Sequence, residues 1–246
     1  MQCIVLAGGL GRRMLPRTES LPKSLLPVAG RPFVDWQLAW LAAEGVEHVV
    51  MSIGYRGDMI RHHLDNGSRF GLRISYVDDG EVPLGTGGAL RLAVDEELAA
   101  PSFFVLYGDS YLPISLSEIE TSYSNQAAPV LMTVYRDREG LERPNVVFDG
   151  SMVTRYQKGL ENPPPDMRYV DYGISAWHRE IVDAMVPKGA EADLADLFVA
   201  LSGSGRLAGL EALERFYEIG SPKGLSDLES RLTMGGVLGN PPDTGR

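Results

Sequence analysis

The chain reads as an α/β protein with a mixed, mostly parallel central sheet and helices on both faces, and three observations lead there. Its 246 residues are 44% apolar, enough for one sizeable packed core. The segment QCIVL (2–6) is a short apolar run stopped by Gly8-Gly9, which reads as a buried first strand. Strand-like and helix-like segments then alternate: strands at 47–53, 72–77 and 102–107, helices at 33–44, 57–65 and 86–98.

Each element has its own signal. After the first strand, a loop rich in Gly, Pro and Arg runs to about residue 30. In 33–44, Phe33, Trp36, Leu38, Trp40 and Leu41 recur at helical spacing; Pro32 suits the first turn and Gly45 the end. Beyond residue 128 the pattern changes. A strand is expected at 129–135, a hairpin over 144–157 around Asp149-Gly150, and another alternating stretch at 168–177. Helices follow at 179–185 and 191–202, short strands at 206–211 and 214–219, and a helix at 222–233. The tail has turn formers and little apolar content, so the expected organisation is one domain over 1–235 and a flexible tail over 236–246.

Composition excludes several functions. The formal charge of -10 argues against nucleic acid as a partner. A single cysteine, Cys3, cannot form an internal disulfide and argues against a zinc or redox site. The first residues have no basic leader, and no stretch is long and apolar enough for a membrane helix, so a cytoplasmic protein is expected. Yet residues 1–31 carry Arg12, Arg13, Arg17, Lys23 and Arg31 against the lone acid Glu19. A phosphate-rich ligand would account for a basic segment in an acidic chain; a solvated basic loop would as well.

That segment is the informative one. Gly8, Gly9 and Gly11 directly follow a buried strand, so backbone N–H groups can approach a ligand with no side chain in the way. Open α/β sheets bind ligands at such strand ends. Two familiar phosphate motifs fail here. A P-loop needs Gly before its Lys, but Pro22 precedes Lys23; the dinucleotide fingerprint needs a final Gly where Met14 stands.

The stretch GGLGRRMLPRT followed by PKSLLPVAGRP resembles the signature of sugar 1-phosphate nucleotidyltransferases, a Gly-Gly-x-Gly-x-Arg loop ahead of Pro-Lys-x-Leu. The resemblance continues in order through LGTGGAL (84–90), LYGDS (106–110), QKG (157–159), VDYGIS (170–175) and YEIGSP (217–222). Among subfamilies it looks most like heptose 1-phosphate and mannose 1-phosphate guanylyltransferases. The resemblance implies a Rossmann-like, GT-A-like fold, Mg2+ as cofactor, and a nucleoside triphosphate (GTP favoured) and a sugar 1-phosphate as partners, in a monomer or homodimer.

It also implies roles. Arg13 and Lys23 would hold triphosphate oxygens, and Asp109, after an apolar strand, would ligate the metal. Leu6, Ala7, Gly8, Gly9, Gly11, Gly85 and Thr86 would border the nucleotide. Gly108, Asn145, Gln157, Lys158, Asp171 and Gly173 would surround the sugar phosphate. The family usually has Asp where this chain has Glu218, the second expected metal ligand, and Glu where it has Gln157. Each of these also has a plain reading as a surface lysine, a loop arginine or a turn-forming acid or glycine. Separately, Glu81 lies just upstream of Leu84-Gly85-Thr86, where a carboxylate could accept the adjacent N–H donors of guanine.

The implied reaction is attack of a sugar 1-phosphate oxygen on the α-phosphorus, releasing pyrophosphate. Three rivals stand beside it. One is the same chemistry with a uridylyl, thymidylyl or cytidylyl donor. Another is a glycosyltransferase, for which Asp-x-Asp would be expected where the chain reads Asp109-Ser-Tyr. The third is a non-catalytic nucleotide-sugar binding protein. From the length of this sequence, a transferase without the extra β-helix or acyltransferase domain of some relatives is expected.

Overall fold

The computed structural model describes residues 1–80, 82–138, 140 and 142–234. In chain order its elements begin with β1 (Gln2–Leu6), β2 (Pro27–Val28), β3 (Arg31–Pro32), α1 (Phe33–Ala43), β4 (His48–Ile53), α2 (Gly57–Leu64) and β5 (Arg73–Asp78). Next come α3 (Gly85–Asp95), β6 (Ser102–Tyr107), β7 (Ser110–Tyr111), α4 (Leu116–Ser124), β8 (Val130–Tyr135), β9 (Val146–Phe148) and β10 (Val153–Tyr156). The last are β11 (Val170–His178), α5 (Arg179–Met185), α6 (Leu194–Gly203), β12 (Leu207–Ala212), β13 (Tyr217–Glu218) and α7 (Pro222–Met234).

The central sheet has seven strands in the order β12-β8-β11-β6-β1-β4-β5. Neighbours run parallel except β11, which is antiparallel to both β6 and β8. Strand alternation distributes side chains to two faces. Cys3 and Val5 join a core with Phe33, Trp40, Ile60, Ile119 and Leu228, from α1, α2, α4 and α7. Ile4 faces the other way, into a core with Leu90, Ile181, Leu197 and Phe198, from α3, α5 and α6. The expected mixed sheet with helices on both faces is therefore the observed one.

Some elements differ from expectation. Helix α4 was not foreseen: LSEIETSYS is rich in Ser and Thr, and only Leu116, Ile119 and Tyr123 mark a buried stripe. Its first turn is fixed from outside, where the Glu44 carboxylate accepts the Ser115 hydroxyl and the Leu116 N–H. Helix α6 begins at Leu194 rather than 191, because the Asp193 side chain caps it by accepting the Ala195 N–H. The strand expected at 214–219 shortens to β13. The long first loop contains a small ladder of β2 on β3 and two single-turn 3-10 segments, Arg12–Met14 and Lys23–Leu25. The 144–157 hairpin forms as expected from β9 and β10, with the Asp149 side chain accepting the Ser151 and Met152 N–H groups. The tail expected to be loose lies outside the described residues.

Candidate active site

The site begins where β1 and β6 end. Their parallel register sets Leu6 beside Tyr107, so the segments that leave them, Ala7–Gly11 and Gly108–Asp109, run side by side. Gly108 is required at that crossing. Its N–H donates to the Leu6 carbonyl at 2.9 Å, and a Cβ would stand 2.4 Å from that same oxygen. Any other residue would push the two strand ends apart.

A two-residue ladder of β7 against β13 then brings two acids together. Glu218 pairs with Ser110, and the Ile219 N–H donates to the Asp109 carbonyl at 2.9 Å. Lys23 forms an ion pair with Asp109. Burial, and then the charge of Asp109, push the Glu218 carboxyl above its ordinary value, while Arg13 and Lys23 pull the other way. Gly220 makes room for this group: a Cβ there would lie about 3.0 Å from both the Glu218 carboxylate and the Arg13 guanidinium.

Across the cleft, Asp171 is held on β11. The Tyr107 hydroxyl donates to its Oδ2 at 2.8 Å and the Gly173 N–H to its Oδ1 at 3.0 Å. The Asp171 N–H donates to Asn145 Oδ1, so three of the expected sugar-site residues form one network. Burial raises the Asp171 carboxyl above its ordinary value; those hydrogen bonds and the nearby Lys158 charge partly offset this. Gln157 does not join them. Its side chain is exposed and absent from the cleft wall, and its backbone N–H donates to the Asn145 carbonyl.

At the other end, Gly85 and Thr86 open α3. The Thr86 hydroxyl donates to Asp193 and accepts the Leu194 N–H, and the N–H groups of Gly87 and Gly88 both go to the Ala192 carbonyl. Thr86 thus clamps α3 to α6 as well as bordering the cleft. Glu81 lies outside the described residues. Another acid of the same connection, Asp79, lines the cleft, and burial lifts its carboxyl from 3.8 to about 6.

These walls enclose a cleft of about 740 Å3, within the range of small-molecule sites. Leu6, Ala7, Gly8, Gly9, Gly11, Arg13, Lys23, Gly85, Thr86, Gly108, Asp109, Asn145, Lys158, Asp171, Gly173 and Glu218 all line it. Tyr107, Asp79, Asp193 and Glu142 line it too and were not anticipated. Tyr107 precedes Gly108-Asp109, so its place at a strand end was a usable signal. Asp193 and Glu142 come from distant chain segments, and nothing local in the sequence points to them.

The fold and this charged, glycine-walled cleft define a nucleotidyl transferase: the family model so described matches residues 2–233, and the chain belongs to that family. It is 30% identical, over 91% of its length, to mannose-1-phosphate guanylyltransferase of Mycobacterium tuberculosis (strain ATCC 25618 / H37Rv), and spans 62% of that relative. It is 31% identical to D-glycero-alpha-D-manno-heptose 1-phosphate guanylyltransferase of Campylobacter jejuni subsp. jejuni serotype O:2, over 50% of this chain and 54% of the relative. Among solved structures it resembles HddC from Yersinia pseudotuberculosis complexed with GMP-PN, with a TM-score of 0.78 at 20% identity, covering 94% of this chain and 98% of that one. The inositol-1-phosphate CTP transferase from T. maritima superposes with a TM-score of 0.77 at 21% identity, over 95% and 96% of the two chains. At these identities the structural likenesses establish the fold. No helix among the described residues is long and apolar enough to cross a membrane.

Proposed function

We propose that the protein joins a sugar 1-phosphate to a nucleoside triphosphate, giving a nucleoside diphosphate sugar and pyrophosphate. One observation carries this reading: Arg13, Lys23, Lys158 and Asp109, four charged side chains from three separate stretches of the chain, line a single cleft. An oxygen of the sugar phosphate attacks the α-phosphorus, the bond from that phosphorus to the β-phosphate breaks, and pyrophosphate leaves. The attacking group is an anion at neutral pH and needs no general base. The obstacle is repulsion between two anions. Each unit-charge contact near 4 Å is worth roughly 4 kcal/mol at an effective dielectric of about 20. Holding the reactants in line contributes roughly 7–11 kcal/mol more.

The roles implied by the resemblance are supported by placement in the cleft. Lys23 and Arg13 hold the triphosphate, as point charge and planar fork respectively. Lys158 holds the sugar phosphate. Asp171, kept in one orientation by Tyr107 and Gly173, accepts sugar hydroxyls, with Asn145 beside it. Gln157, turned to solvent, is given no part in choosing the sugar. The donor set at Asp109 and Glu218 suits Mg2+. Two carboxylates whose charges oppose each other are relieved by a divalent cation, and no group of three or more His, Cys, Asp or Glu side chains suited to a metal occurs among the described residues. Magnesium is commonly bound by one or two carboxylates plus substrate phosphates. The ion would supply charge neutralisation at the triphosphate.

GTP with a heptose or hexose 1-phosphate is the favoured pair, because the relatives at about 30% identity are named guanylyltransferases. The test is pyrophosphate release over four triphosphates and several sugar 1-phosphates, mannose and heptose included. GTP turnover at least tenfold above the others supports the pair; turnover with another triphosphate reassigns the base, and none with any refutes the reading. Lys23→Ala and Asp109→Ala are each expected to lower kcat by about 10²- to 10³-fold without unfolding the chain. Wild-type turnover in either would sink the assignment.

A further inference from the structure

Helix α1 is buried almost all round, yet it carries a fully enclosed amide, Gln37, only 1% exposed. Its Nε2 donates both hydrogens, one to the Tyr107 carbonyl at 2.9 Å and one to the Ser110 carbonyl at 2.8 Å. Those carbonyls flank Gly108-Asp109. One planar NH2 group therefore ties the two ends of the turn that presents Asp109. Few side chains can do this: a carboxylate has no hydrogen to give, and an aliphatic chain of the same shape leaves two carbonyls buried and bare. The reversed amide would press an oxygen against two oxygens, so the orientation is fixed by its partners. Gln37 Oε1 is buried with no hydrogen-bond partner among the described residues. An unmet buried acceptor destabilises the fold. Packing alone would be served better by leucine.

The rest of the turn is held from other sides. The Gly108 N–H reaches Leu6, the Asp109 carbonyl receives the Ile219 N–H, and Ser110 pairs with Glu218. Gln37 is the tie from the first core. Gln37 is not part of the cleft wall, and it meets the turn through the backbone carbonyls of Tyr107 and Ser110.

We infer that Gln37 is a positioning residue: its amide staples the Tyr107–Ser110 turn so that the Asp109 carboxylate stays in register with Glu218, and it thereby sets the affinity for the divalent cation. This inference rests on the proposed role of Asp109. The variants to compare are Gln37→Leu, Gln37→Glu, Asp109→Asn and, as a stability control from the same helix, Leu38→Ala. Three quantities are read for each folded protein: Mn2+ binding by calorimetry without substrates, hydrogen exchange of the 108–111 amides, and KM and kcat for the triphosphate at saturating Mg2+. Gln37→Leu is expected to weaken Mn2+ at least fivefold and speed exchange at 108–111. Its kcat should fall while KM for the triphosphate changes less than twofold. Gln37→Glu should do the same more strongly, and Leu38→Ala should lower the melting temperature while leaving Mn2+ affinity unchanged. Wild-type Mn2+ affinity and exchange in Gln37→Leu, with Asp109→Asn still losing the metal, would overturn the staple alone. Undiminished Mn2+ binding in Asp109→Asn would overturn the metal assignment and the staple with it.

Discussion

Glu218 is opposed in its charged form by both burial and the charge of Asp109. An amide in its place removes that repulsion, so Glu218→Gln is expected to unfold at higher urea than the wild type at pH 8 while losing most turnover. The pairing of a more stable fold with a poorer catalyst is what a strained functional group produces. Urea melts and pyrophosphate assays on one preparation check it. Asp79 gives a pH-dependent counterpart. Its carboxyl moves from 3.8 to about 6 in the fold, so between those values the folded chain holds the extra proton and stability falls as pH rises. The stability it contributes is complete below pH 3.8 and is lost as pH passes through about 6. Because the group is only partly buried, solvent screening reduces the effect. Asp79→Asn is expected to gain about 1 kcal/mol at pH 8 and little at pH 4. Equal gains at both pH values would contradict the assignment. Lys23 and Arg13 were legible from sequence because their spacing after a glycine loop is local. Asp79 was not: an acid two residues before Glu81 carries no mark of burial.

Between elements, the decisive contacts are backbone to backbone. Gly108 at the end of β6 lies so close to β1 that an added methyl would meet the Leu6 oxygen at 2.4 Å. Gly108→Ala is expected to displace Asp109 and abolish turnover, at a stability cost of about 1–3 kcal/mol for overpacking. A crystal structure showing Asp109 unmoved would count against this. Thr86 links α3 to α6 through two hydrogen bonds of its hydroxyl, 3.0 Å to Asp193 and 2.8 Å from Leu194. Thr86→Val keeps the shape and leaves the Leu194 N–H without its partner, so chemical denaturation should show a loss of about 1–3 kcal/mol. Helix α1 was readable because its apolar residues crowd one segment with Gly45 at its end. Helix α4 was missed because Glu44, from another element, caps it, and no window of sequence contains that partner.

Across the whole molecule, β6 is the middle strand of the sheet and β1 lies inside it between β4 and β6, under helices on both faces. Amides of β1 and β6 are expected to exchange with solvent most slowly, and those of the edge strands β5 and β12 faster, because opening the centre requires unfolding nearly everything. Protection greater at the edges would contradict this architecture. Cys3, fully buried in β1, has its thiol pushed well above the ordinary range by burial. Thiol reagents should leave it untouched in the native protein and modify it in urea.

Apolar periodicity is a local property, so the alternation of strand and helix, and with it a covered, mostly parallel sheet, could be read from the residues alone. The sequence also singled out the glycine loop with Arg13 and Lys23, since all of these cleft-lining residues fall within one short stretch. Folding added cleft groups that no local window marks, and it set the orientation of others already expected. Asp193 arrives through the α6 cap, Asp171 is oriented by Tyr107, and Gln37 reaches the Asp109 turn from another layer. Those placements depend on contacts between segments far apart in the chain, and such contacts leave no periodic trace in either partner.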